Sequence, residues 1–295
     1  MAMTHLWAGT ASRAVIVRTP YDRLVSAESE NWNGMSPTRA HTHALPPILV
    51  IGHGRVGSAL ARAADAAGVE LTVAGRDDLP SACAEAEVVL LCVPDDAIAD
   101  VAERVAAAAP RLRLIGHTSG ATELSALAVA TASGAAAFSL HPLQTVPDAA
   151  ADLVGAPAAI EGSTPEGAAV ARELAEALGM RPFELPEGSR PAYHAAASMA
   201  SNFLIALEES ATALLTDAGV AESIEARELL APLVLRTAAN WAESGGEALT
   251  GPIARGDEAT VDRHLAAIAT TSPELEALYR ALADRTRELA RERVS

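Results

Sequence analysis

The feature that most constrains this chain is a glycine-spaced loop set between an apolar strand and a helix. Residues 48–51 read Ile-Leu-Val-Ile, Gly52, Gly54 and Gly57 follow in GxGxxG spacing, and RVGSALARAADAAG then places apolar and small residues at helical intervals as far as Gly68. Alone, the glycine string is a weak signal; behind a strand and at the start of a helix it has a physical purpose. Gly52 permits a tight turn, Gly54 lets the backbone approach a pyrophosphate, and Gly57, with Ala61 one turn later, lets helix and strand pack closely. The helix start offers unpaired N–H groups and the positive end of its dipole to phosphate oxygens. The loop Gly52, His53, Gly54, Arg55, Val56 and Gly57 is therefore expected to hold a dinucleotide.

Strand and helix signals alternate beyond the loop. ELTVAGR, AEVVLLCVP, RLRLIGHTSG and AAAFSLHPLQ read as strands, and DDAIADVAERVAAAAP as a helix begun by acids and closed before Pro110. This predicts an α/β fold of βαβ units with a doubly wound parallel sheet. PAAIEG, a helix from Pro165 to Leu178, and MRPFEL extend it. After Pro186 strand signals stop. One long helix is expected over 191–219 and three more around 222–243, 258–272 and 274–292. The predicted domains are an aperiodic extension over 1–46, a Rossmann domain over 47–186, and an all-helical substrate and dimerisation domain over 187–295. Met35, just ahead of the periodic part, could serve as an alternative start. His41 and His43 form an HxH in the extension, but with no third ligand they predict no metal site.

Composition narrows the partners. A formal charge of −16 opposes nucleic acid and anionic membranes, leaving a small-molecule substrate. Half the residues are apolar but only 3% aromatic, which suits packed helices built on Ala, Leu and Val. All 22 basic residues are arginine, so no lysine is available for catalysis. The two cysteines, Cys83 and Cys92, are irregularly spaced; Cys92 in an apolar run reads as a core thiol, consistent with a reducing, cytoplasmic setting. No run is long enough for a membrane helix, and the N-terminus lacks a signal-peptide pattern.

The end of the second strand bears on which dinucleotide is bound. An acid there holds the ribose hydroxyl of NAD, whereas arginine suits the 2′-phosphate of NADP. Arg76 stands 19 residues past Gly57, with Arg55 as a second cation, so NADP(H) is favoured over NAD(H). Asp77 is the dissenting residue. Ligands of such sheets lie beyond the carboxyl ends of the strands. There the sequence puts Val93 and Pro94, then His117, Thr118 and Ser119, then His141. Val93, Pro94 and Thr118 are expected beside the cofactor, and His117 and Ser119 beside substrate. Reducing a carbonyl needs a proton donor, for which histidine is the natural choice near neutral pH. His141 and His194 are the candidates. His194, Ser198 and Asn202 recur every four residues and would share one helix face. Arg255, in GPIARGD, is a candidate carboxylate clamp, while Asp257 reads as a helix cap.

Taken together, IGHGRVG, LCVPDDAI, HTSGA, SLHPLQT, YHAAASMASN and GPIARGD resemble a family that pairs a Rossmann-like domain with the helical domain DUF2520, over Pro47 to Tyr279. The wider group is similar to the 6-phosphogluconate dehydrogenase superfamily, with its ketopantoate, pyrroline-5-carboxylate and prephenate enzymes. The resemblance implies an NADP-dependent oxidoreductase of a small acid, with ketopantoate in pantothenate synthesis as the leading specific substrate, that dimerises through its helical domain. It implies the asparagine role for Asn202, but Ser198 stands where ketopantoate reductases carry lysine. His141 resembles the strand-end histidine of prephenate dehydrogenases and is the leading acid/base candidate, ahead of His194. The alternative is a non-catalytic dinucleotide sensor or assembly protein; a flavin enzyme ranks below both, for want of a second nucleotide motif. Convergence of His117, His141 and His194 would separate catalysis from mere binding.

Overall fold

The computed structural model describes residues 45–293. Residues 1–44, which make up nearly all of the expected extension and include Met35, His41 and His43, lie outside the described residues. Seven strands form one sheet: β1 (Ile48–Ile51), β2 (Leu71–Ala74), β3 (Val88–Leu91), β4 (Leu114–His117), β5 (Ala136–Pro142), β6 (Pro157–Gly162) and β7 (Arg181–Glu184). Their order is β2-β1-β3-β4-β5-β6-β7. The helices among them are α1 (Arg55–Ala67), the one-turn α2 (Leu79–Ala82), α3 (Ile98–Ala108), α4 (Ala128–Ala132) and α5 (Pro165–Ala177).

Every residue of β1, β3 and β4 is buried, as parallel strands covered on both faces require. Alternation assigns the faces. Ile48, Val50, Val88, Leu90, Leu114 and Phe138 pack with Leu60 of α1 and Leu174 of α5. Leu49, Ile51, Val89, Leu91 and Ile115 pack with Val101 and Val105 of α3 on the other side. Local chemistry starts α5 cleanly: the Thr164 hydroxyl accepts the Gly167 N–H, and Pro165 occupies the first turn.

Two expectations need correction. The sheet is not wholly parallel, because β6 runs antiparallel to β5. A parallel return needs a long crossover, usually a helix, and residues 143–156 contain neither helix nor strand. Nor is 191–219 one helix. It divides into α6 (Arg190–Ala200) and α7 (Asn202–Asp217), with Ser201 at φ −123°, ψ −74° between them. Serine and asparagine side by side compete locally for backbone partners, which weakens a helix at that point.

The described residues fall into two compact units that divide between Ile205 and Ala206. Helix α6 therefore groups with the sheet, beyond the division expected at 186. The second unit holds most of α7, then α8 (Ser223–Ser244), α9 (Glu258–Thr271) and α10 (Glu276–Glu292). Asp257 caps α9 by accepting the Thr260 N–H. The buried apolar residues of this unit are few: Ala226, Val261, Ile268 and Ala283. Among the described residues no helix is long and apolar enough to cross a membrane.

Candidate active site

The glycine loop lies at the point where strand order reverses between β1 and β3, the usual ligand crevice of such sheets. Gly52 has φ +125°, and a methyl group there would lie 2.3 Å from the Cys92 carbonyl oxygen, so only glycine fits. A methyl group on Gly57 would lie 2.1 Å from the Gly52 oxygen, which fixes how closely α1 approaches the loop. Gly54 differs. A methyl group there meets nothing nearer than 4.0 Å, so its outer side is open. Gly54 caps α1 without a side-chain hydrogen bond, and among the described residues the N–H groups of Arg55, Val56 and Gly57 have no backbone acceptor. Open backbone and unpaired amides at a helix start fit a diphosphate.

The end of β2 adjoins this loop. A methyl group on Gly75 would lie 3.1 Å from Asp78 Oδ2 and 3.9 Å from His53 Nε2. Arg76 is exposed, and its carbonyl accepts a 2.7 Å hydrogen bond from Arg104. Among the described residues neither Arg76 nor Arg55 has a carboxylate partner. The acid beside Gly75 is thus Asp78, rather than the Asp77 singled out in the sequence. Val93 and Pro94 follow β3 at the adjoining strand end. The Thr118 N–H donates to the Leu91 carbonyl at 3.1 Å, tying the β4 end to β3. Beside them the Cys92 thiol is raised to about 12 by burial, with Thr118 opposing; it is no nucleophile.

A second cluster crosses the sheet. Register pairs His117 with Ser139 and Ser139 with Glu161, so the three stand in one row on β4, β5 and β6. Arg190, at the start of α6, closes over this row and is 1% exposed. Its guanidinium donates to both Glu161 Oε2, with Nε at 3.2 Å, and Ser139 Oγ at 2.5 Å, and it donates to the Ser119 carbonyl at 3.1 Å. The Ser119 hydroxyl is itself occupied, accepting the Ala121 and Thr122 N–H groups at 3.1 and 2.9 Å. It therefore shapes the turn.

Two residues beyond Ser139, the His141 ring meets α6. Its Nδ1 lies 2.6 Å from the Tyr193 hydroxyl, and its centroid lies 6.3 Å from that of His194. A methyl group on Gly120 would lie 2.8 Å from His141 Nε2 and also from His194 Nδ1. Both rings thus pack on Gly120, where no side chain could be tolerated. The His194 Nδ1 and both His117 ring nitrogens are buried without a hydrogen-bond partner. Burial pushes His117 down to about 4; Arg190 and His141 add to the shift, and the Glu123 backbone opposes it without reaching hydrogen-bond geometry. Burial, then His194 and Arg190, push His141 down to about 4 as well, against the pull of Asp95. Burial raises the Tyr193 phenol to about 12, with Arg190 opposing. The imidazoles of His117 and His141 are thus neutral near pH 7.

The three strand-end and α6 histidines therefore converge. Ser198 stands on α6 one turn past His194, but the break at Ser201 puts Asn202, exposed, on a different helix. The expected three-residue stripe on one helix does not form. Arg255 closes a short 3₁₀ turn in the second unit and is exposed, lining a depression of about 630 Å³ with Arg287 and Arg291. Sequence reasoning missed Arg190, Glu161 and Tyr193. One signal was available: a cation in the first turn of a helix opposes the dipole, so Arg190 needed a dedicated acid elsewhere.

Known proteins sharpen this picture. Residues 74–142 match the model of a Rossmann-like domain and residues 156–286 that of the domain of unknown function DUF2520; the glycine loop lies outside both spans. No curated protein sequence matches the chain. Among solved structures, a candidate NADP oxidoreductase from Bacteroides fragilis is 24% identical, with a TM-score of 0.65 over 82% of this chain and 98% of its own. A Thermotoga maritima protein is 24% identical, with a TM-score of 0.66 over 84% and 100%. A reductive aminase from Aspergillus terreus, solved with NADPH and ethyl-5-oxohexanoate, is 21% identical, with a TM-score of 0.59 over 81% and 92%. At these identities the likeness is one of fold. The DUF2520 match begins within the sheet at β6 and runs into α10, across the division between the two units, and the two matches together identify a Rossmann-like domain joined to a DUF2520 domain in this chain.

Proposed function

We propose that this chain is an NADP(H)-dependent oxidoreductase acting on a small carbonyl-containing acid, in a reducing compartment such as the cytoplasm. The observation that carries the reading is the open backbone at Gly54 with unpaired amides behind it, within one fold unit that also gathers three histidines. Gly52–Gly57 would hold the diphosphate, with Val93, Pro94 and Thr118 at the neighbouring strand ends. Arg76 and Arg55, without carboxylate partners, favour the 2′-phosphate of NADP; Asp78 beside Gly75 at the end of β2 is the observation on the side of NAD. The names of the similar structures, two of which mention NADP or NADPH, support the same direction. A bound nicotinamide supplies or accepts hydride. The chain's own part is to orient the substrate and to hold a proton at His141, with His194 beside it and His117 behind.

Calorimetry with NADPH and NADH is the direct test. Binding of NADPH at micromolar level, weakened about tenfold or more by Arg76→Ala while NADH changes little, is the expected result. No heat with either nucleotide would overturn the reading. Consumption of NADPH with ketopantoate or another 2-keto acid, lost in His141→Ala with binding intact, would fix the reaction; tight binding without turnover on any keto acid would favour the sensor.

Homodimerisation through the helical unit is the second part of the proposal. Helix α8 spans 22 residues with Ala226 its sole buried one, while Ile224, Leu229, Leu233, Leu235 and Trp241 are exposed. So many large apolar side chains exposed on one helix mark an interaction surface. Sedimentation of the purified chain should show a dimer at micromolar concentration; a monomer there would exclude it.

A further inference from the structure

The donor assigned to His141 poses a chemical problem that its neighbours solve. A histidine held near a pKa of about 4 is cationic in roughly one molecule per thousand at pH 7. A neutral imidazole cannot surrender its N–H unless its other nitrogen gains a proton at the same time. The structure supplies that second proton. Tyr193 Oη lies 2.6 Å from His141 Nδ1, within hydrogen-bond distance and edge-on to the ring.

We propose that Tyr193 is the proton source of the site, passing its phenolic proton to His141 Nδ1 as His141 Nε2 releases its own to the substrate oxygen. This deepens the oxidoreductase reading and rests on it. In the reduction, hydride from the nicotinamide forms the new C–H bond and the carbonyl π pair moves onto oxygen. The Nε2–H bond breaks as the O–H bond of the product forms; the Tyr193 O–H bond breaks as Nδ1–H forms. His141 begins and ends neutral, its proton having changed nitrogens. The relay resets when His141 Nε2 takes a proton from water and Nδ1 returns its proton to the Tyr193 phenolate, which restores both the starting tautomer and the neutral phenol.

The surroundings favour this route over a cationic histidine. From α6, His194 and the Arg190 guanidinium oppose a positive charge on His141; from β4, His117 is placed to do the same; only Asp95, beyond β3, supports one. Arg190 is neutralised by Glu161 on β6, yet it still favours a negative charge on Tyr193. Phenol is a stronger acid than the product alcohol, so the transfer runs downhill. Tyr193 acts through His141 and is a positioning and proton-supplying residue; it touches no substrate atom itself.

Nitrogen-15 spectroscopy of the imidazoles in the full chain tests the hydrogen-bond arrangement without cofactor or substrate. With Tyr193 donating to Nδ1, wild-type His141 carries its proton on Nε2 and stays neutral down to about pH 5; Tyr193→Phe should mix the two tautomers. A proton found on Nδ1, or a tautomer unchanged in Tyr193→Phe, would overturn the proposal. Kinetics give an independent arm. Tyr193→Phe should bind NADPH within about twofold of wild type, lose roughly 10–100-fold in kcat with little change in KM, and gain rate as pH falls toward 4, because only the cation can then donate. A wild-type kcat and pH profile in Tyr193→Phe would sink the relay. Failure of NADPH to bind the wild-type chain would instead remove the oxidoreductase reading, and the tautomer result would still stand.

Discussion

The sheet unit and the helical unit are built from similar residues but reach opposite ends of self-sufficiency. In the first, apolar strands are buried on both faces and helices close each side. In the second, α8 leaves Leu229, Leu233, Leu235 and Trp241 more than half exposed while burying Ala226. Apolar area removed from water contributes about 25 cal/mol per Å², so the first unit contains the source of its own stability, whereas the second leaves much of the apolar area of α8 in water. The difference teaches that helical periodicity alone does not make a core. What matters is whether the apolar residues meet.

The sharpest way to break this contrast is to charge the bare helix. Leu229→Asp with Leu233→Asp should raise the dimer dissociation constant by about 100-fold or more by sedimentation, and leave the sheet unit's hydrogen-exchange protection intact. Equal loss of protection in both units would show that they are not independent. The next largest effect belongs to the sheet unit. Glu161→Ala strands the Arg190 guanidinium, and breaking a buried pair in this way costs about 3–5 kcal/mol, measurable by urea unfolding.

The pH dependence of stability comes next. His117 is near 6.5 when unfolded and near 4 when folded. Between those values the unfolded chain binds the proton and the folded chain does not, so stability is full above pH 6.5 and falls as pH drops toward 4. The loss is on the order of 3 kcal/mol for this residue, and His117→Leu should flatten that part of the curve. A His117→Leu curve as steep as wild type would mean the ring is not held neutral. Last comes a pair of glycine exchanges, the second of which has the smallest effect on stability. Gly52→Ala, strained at φ +125° and against Cys92, should lower Tm markedly, whereas Gly54→Ala should leave Tm within about 1 °C and lower NADPH affinity. Equal melting shifts would erase the distinction between a folding glycine and a ligand-facing one.

Much of the sheet unit was legible because its signals are local. Apolar runs bounded by turns gave the strands, and the glycine spacing gave the tight β1–α1 approach. The reversal of β6 is written in the helix-free stretch before it, where Pro147 and Asp148 stand, because no crossover helix is there to carry the chain back for a parallel pairing. The candidate site was legible only in part. His117, His141 and His194 are chemistry-bearing types at strand ends or on a polar helix face, so they drew notice. Glu161 and Arg190 are 29 residues apart, and a pair made by strand register and helix docking leaves no periodic trace. Tyr193, beside His194 in the sequence, was passed over because its role depends on which way β5 carries His141.

The Arg190 clasp has a kinetic meaning. Its acceptors sit after β4, on β5 and on β6, while the guanidinium arrives with α6, so it can close only when four separate segments have assembled. Such an interaction belongs to the native side of the folding barrier, and its loss should accelerate unfolding while leaving the refolding rate nearly unchanged. The polar row would then act as a latch on lifetime, setting how long the assembled state persists once it has formed.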